Sequence, residues 1–96
     1  MFPLTDGTRA RIRVLFPAGE WTTVEQMLLE RCGANLALVN DWAHLVERIR
    51  YAVLKLSAGS LPELGRHVDV ACSDWRDVLV AAGFGNDTRA HLSWFP

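Results

Sequence analysis

SDWRDVLVAAGFG, residues 73–85, carries the signals for starting, packing and stopping a helix within one short stretch. Ser73 is placed as an N-cap whose hydroxyl accepts from a backbone N–H of the first turn. Asp74 and Asp77 set negative charge at the positive end of the helix dipole. Trp75, Val78, Leu79 and Ala82 recur at helical spacing and share one face. Gly83 suits the left-handed residue that closes a helix, with Phe84 folding back onto Leu79 as in a Schellman cap. Arg76, Val80 and Ala81 are left on the outer face without an internal task.

Reading outward from this stretch, Ser60, Pro62 and Glu63 form a capping box, Ser60 bonding forward and Glu63 reaching back. It opens a helix whose apolar face is Leu61, Leu64, Val68 and Ala71 or Cys72. Residues 41–58 predict the longest helix, with Asn40 as N-cap and Trp42, Leu45, Val46, Ile49, Ala52, Val53 and Leu56 at helical spacing. Its polar stripe is His44, Glu47, Arg48, Tyr51 and Lys55. Residues 18–32 put Trp21, Val24, Met27, Leu28 and Cys32 on one face, with Gly33 as the stop. The closing segment 87–95, with Asn86 or Asp87 as cap, is expected to dock through Leu92, Trp94 and Phe95.

The segment 8–16 reads in two ways. Polar and apolar residues alternate from Arg9 to Val14, as in a half-buried strand, whereas a helix groups Thr8, Ile12, Leu15 and Phe16 on one side. A lone strand leaves its backbone groups unpaired unless residues 36–39 or a second protomer supply a partner, which favours the helix. The expectation is an all-α fold: a single domain over residues 1–96, built as a compact bundle of five or six short helices around the central helix 41–58.

The runs ERIRYAVLKLSAG and SDWRDVLVAAGF, within residues 47–84, resemble a pattern in short bacterial proteins of about this length, where a helix ending LKLS-x-G precedes a DWRD-x-LVAAGF segment. The resemblance covers less than half of the chain. It implies a small all-helical fold of bacterial origin, carries no assigned activity, and so transfers no site residue.

Composition narrows the function classes. The 96 residues are 50% hydrophobic and 22% charged, as in an ordinary globular domain. Ten Lys and Arg against eleven Asp and Glu give a net charge of −1, which provides no overall field to attract nucleic acid or an anionic membrane. No signal-peptide core is read at the N-terminus and no stretch approaches the ~20 apolar residues of a membrane span, so a cytoplasmic protein is expected. Cys32 and Cys72 are too few for a disulfide scaffold and fall on apolar helix faces, where they read as reduced and buried.

No motif for chemistry stands out. His67, Asp69, Cys72, Asp74 and Asp77 are the densest set of ligand types, but they lack the paired spacings of structural zinc, so no metal is expected. His44 and His91 read as isolated surface or hydrogen-bonded side chains without the orienting partner that acid–base catalysis requires. There is no Walker loop, GxGxxG or GxSxG, hence no cofactor and no enzymatic activity in the reading. Arg9, Arg11 and Arg13 form a basic cluster, and the helix pair 60–83 has the short connection of a helix-turn-helix. Asp74 and Asp77 at its start would repel phosphates, so phosphate-backbone binding through the three arginines ranks second.

The favoured reading is a non-catalytic protein-interaction module, as a homodimer or with another protein partner. Of four tryptophans, Trp21, Trp42 and Trp75 lie on core faces of their helices, whereas Trp94 stands beside Phe95 at the C-terminus. The candidate interaction surface is Leu29, Arg76, Val80, Ala81, Trp94 and Phe95.

Overall fold

The computed structural model describes residues 2–36 and 43–96. Four α-helices follow one another: α1 (Asp6–Leu15), α2 (Trp21–Arg31), α3 (Ala43–Ser57) and α4 (Leu61–Ala82), with 3₁₀ turns at Ala18–Glu20 and Ala90–Ser93. The fold is all-helical, with no strand among the described residues, but its four helices are fewer than the five or six expected. The Asn40 cap, the start at residue 41 and the Trp42 contact lie outside the described residues.

The difference in count arises within α4. The expected helices 60–72 and 73–83 run on as one element, interrupted at Asp74, whose backbone is extended (φ −154°, ψ 99°). Asp74, and not Ser73, performs the capping: its Oδ1 accepts from the Arg76 N–H at 3.1 Å. The carboxylate satisfies a first-turn N–H and faces the helix dipole at once, an advantage the Ser73 hydroxyl lacks.

The ends of α4 follow the sequence closely. Ser60 Oγ accepts from Glu63 N at 3.3 Å. Glu63 does not return the bond; its carboxylate pairs with Arg66, and the Ser60 N–H donates to Ser57 O instead. At the far end Gly83 (φ 83°) is left-handed, Phe84 N donates to Leu79 O at 2.8 Å and Gly83 N to Val80 O at 3.1 Å, the paired bonds of a Schellman cap.

α1 settles the ambiguous segment as a helix. Thr5 Oγ1 caps it by accepting from Thr8 N, and Thr8, Ile12 and Phe16 are buried. α3 is the central element, packed against α1, α4 and the C-terminal 3₁₀ turn. Leu45, Val46, Ile49, Ala52, Val53 and Leu54 are buried, but so are Arg48 and Tyr51 from the expected polar stripe. With neighbours on three sides, this helix has little solvent face to give a stripe.

The turn between α3 and α4 carries a strong constraint. Gly59 has φ 83°, and a Cβ there would meet the Leu15 carbonyl oxygen, at the end of α1, at 2.7 Å. Gly59→Ala adds left-handed strain to a clash with backbone, and we expect a loss of about 1–2 kcal/mol, read as a lower urea midpoint with unchanged slope.

Candidate functional site

The most unusual side chains gather where the N-terminal half of α3 meets α1 and the C-terminal segment. Arg48, Arg50 and Arg11 are buried, and the partners recorded for their guanidinium groups are main-chain carbonyls. Arg50 donates from Nε to Cys32 O (2.8 Å), from Nη1 to Pro3 O (3.1 Å) and from Nη2 to Phe2 O (2.8 Å). Arg48 donates to Phe84 O. Arg11 grips Trp94 O with Nε and Nη2 (3.1 and 2.7 Å) and Gly7 O with Nη1 (2.9 Å), while stacking within 4.1 Å of the Tyr51 ring centroid and 5.0 Å of Phe95. The planar five-donor guanidinium suits such multiple acceptors. Each arginine thus ties a non-helical segment of the chain to α1 or α3.

His91 stands at the centre of this region, contrary to its reading as a surface or hydrogen-bonded residue. It is fully buried, and neither ring nitrogen has a hydrogen-bond partner among the described residues. Its ring meets His44, Tyr51 and Phe84 edge-on at centroid distances of 5.0, 5.3 and 6.2 Å. The two histidines are therefore neighbours and not isolated. Burial first, then the adjacent His44, pulls the His91 pKa below its ordinary value. His44 itself is exposed, with Nε2 2.8 Å from Thr88 O. Burial and a hydrogen bond to Glu47 push the Tyr51 hydroxyl up. A cleft of about 400 Å³ opens beside it, lined by Phe2, Pro3, Thr5, Ala43, His44, Val46, Glu47 and Arg50.

The C-terminal segment therefore docks differently from expectation. His91 and Trp94 face the core, whereas Leu92 is 46% and Phe95 54% exposed. A short 3₁₀ turn orients its side chains by the contacts available, and the aromatic cage of Tyr51 and Phe84 receives the two rings that reach it.

The predicted site residues separate accordingly. Leu29, Val80, Ala81 and Arg76 are exposed, as the helix periodicity implied. Arg76 stacks over the Trp75 ring at 5.4 Å, and Trp94 is partly buried against the core. Arg11 leaves the basic cluster: on α1 it points opposite to Arg9 and Arg13, and its donors are engaged. Arg9 bonds Leu4 O at 3.1 Å and Arg13 lies over Trp21 at 5.6 Å. Cys32 is buried as expected, but Cys72 is exposed, because Ala71 takes the core position beside it. Gly33 does not end α2 in the left-handed conformation; the helix stops at Arg31, and Gly33 instead leaves room for Arg50, whose Nη2 would lie 3.2 Å from a Cβ.

Among the described residues no three His, Cys, Asp or Glu side chains converge as metal ligands, and no helix is long and apolar enough to cross a membrane. His67 stands near Glu63, and Asp69 pairs with Arg31. What the arrangement does chemically is to anchor: cations hold carbonyls, and rings pack against rings. No family model, curated protein or solved structure matches the chain.

Proposed function

We propose that the chain is a small non-catalytic interaction module of the cytoplasm that binds a second copy of itself through its C-terminal edge. The observation that carries this reading is the Arg11 clamp, which fixes the Trp94 backbone and so holds Phe95 in place with more than half of its surface in water. An immobilised aromatic contributes to binding without the entropy that a mobile one would lose. Leu92, 46% exposed, is a second apolar side chain on the same segment. With a net charge of −1, two copies meet without long-range repulsion. The resemblance to small bacterial helical proteins agrees with a module of this size, and the arginine-based nucleic-acid reading retains only Arg9 and Arg13.

Light scattering across a wide concentration range tests the reading. Wild-type protein is expected to shift from monomer to dimer mass. Phe95→Asp is expected to weaken association at least ~10-fold, since one buried aromatic contributes more than ~1.4 kcal/mol, while the helical circular dichroism stays unchanged. A wild-type mass that stays monomeric at every concentration would refute self-association.

A further inference from the structure

The two cysteines come together although forty residues separate them. Cys32 closes α2, its N–H donating to Leu28 O, and Cys72 lies in α4 two positions before the break at Asp74. The Cys72 Sγ sits 3.3 Å from the carbonyl oxygen of Arg31, the peptide group that leads directly into Cys32. A planar trans peptide holds that oxygen about 2.8 Å from the next Cα, so Cys72 Sγ lies within about 6 Å of the Cys32 Cα. Asn35 Nδ2 approaches the same sulfur at 3.6 Å, and one turn earlier in α4 Asp69 pairs with Arg31. Cys72 is thus held against the end of α2 beside the backbone of Cys32, and the turn after Cys32 is the part of the chain that must adjust to bring the two sulfurs to bonding distance.

We propose that Cys32 and Cys72 form an intramolecular disulfide when the protein meets a peroxide, locking the end of α2 to α4. The exposed Cys72 is the side chain an oxidant reaches first. Its thiolate attacks one peroxide oxygen, the O–O bond breaks, and Cys72 becomes a sulfenic acid as hydroxide leaves. The Cys32 sulfur then attacks the Cys72 sulfur, the S–O bond breaks, and the departing hydroxide takes up the thiol proton as water. Two thiols lose two electrons and one hydrogen peroxide becomes two waters. Burial, with Cys72 close by, pushes the Cys32 thiol up to about 12, so the second step is the slow one.

The test uses the whole chain, folded, with hydrogen peroxide as oxidant. Expected results are loss of both titratable thiols, an intact mass lower by two hydrogens, and a Cys32–Cys72 cross-linked peptide in a non-reducing digest, all reversed by dithiothreitol. The closure rate rises about tenfold per pH unit, following the Cys32 thiolate fraction. In Cys32→Ala the Cys72 sulfenic acid persists or proceeds to sulfinic acid. The proposal is overturned if wild-type protein accumulates Cys72 sulfinic acid with Cys32 still a thiol. It is equally overturned if the disulfide is intermolecular, or forms only in denaturant.

Discussion

Arg50→Ala is expected to lower the stability of the fold by about 3–5 kcal/mol, a large part of the 5–15 kcal/mol typical of a domain. Arg50 is 2% exposed, and its guanidinium is the partner recorded for the carbonyls of Phe2, Pro3 and Cys32. Truncation strands the buried Cys32 carbonyl, takes a charge-assisted bond from the Phe2 and Pro3 carbonyls beside the cleft, and leaves a cavity where the side chain ran. Leu28 O, a fourth acceptor at 3.4 Å, keeps the Cys32 N–H and loses little. Burial lowers the Arg50 pKa, but the guanidinium stays charged because its ordinary value is so high. Arg50→Lys should fall between the two, since one ammonium cannot fork to acceptors on two segments. Urea unfolding gives the number, and limited proteolysis should show cleavage near Pro3 in the alanine variant. A loss below ~1 kcal/mol would show that water replaces the guanidinium at these carbonyls.

Acidification is expected to destabilise the protein as pH falls through about 6.5, with His91 as the main cause. The ordinary histidine value is 6.5, and burial, followed by His44, holds His91 below it. Arg48 on α3 and Arg11 on α1 act in the same direction, while Glu47 opposes them. Below pH ~6.5 the unfolded chain therefore binds a proton that the native chain refuses, and stability rises with pH. The contribution is whole above 6.5, declines as pH falls through that value at up to about 1.4 kcal/mol per pH unit, and levels off below the native pKa. His67, lowered by burial and by Arg66, acts in the same direction. His91→Phe replaces the ring with an apolar one among Tyr51, Phe84 and His44, and removes two nitrogens without partners among the described residues. We expect it to be as stable as wild type at neutral pH or more so, and to lose most of the slope between pH ~7 and ~5. Parallel pH profiles for the two proteins would assign the slope elsewhere.

Much of this architecture is legible along the chain because it depends on neighbours a few positions apart. Ser60 caps α4, Gly83 and Phe84 close it, and Ile12 with Thr8 and Phe16 marks α1 as a helix even though the charges alternate. The misreadings share another origin. Arg48 in the polar stripe and Arg11 in the basic cluster are hydrophilic by composition, as is Arg50, for which the spacing gives no role, and periodicity assigns such residues to water. Whether a guanidinium is buried depends on the carbonyls around it, which come from segments as distant in the chain as Phe2, Phe84 and Trp94. The local pattern makes Ser73 the cap and Asp74 a charge facing the dipole, whereas the extended backbone at Asp74 makes Asp74 the cap.

The sequence by itself determined the helical class, the central place of α3 and the main helix ends, since apolar spacing and capping act within a turn or two. Only the tertiary structure decided the candidate site. It caged His91, set His44 beside it, turned Phe95 outward on the Arg11 clamp, and brought Cys72 to the peptide that precedes Cys32. These are contacts between elements, and their energies depend on burial and partner geometry that no periodicity along one helix contains.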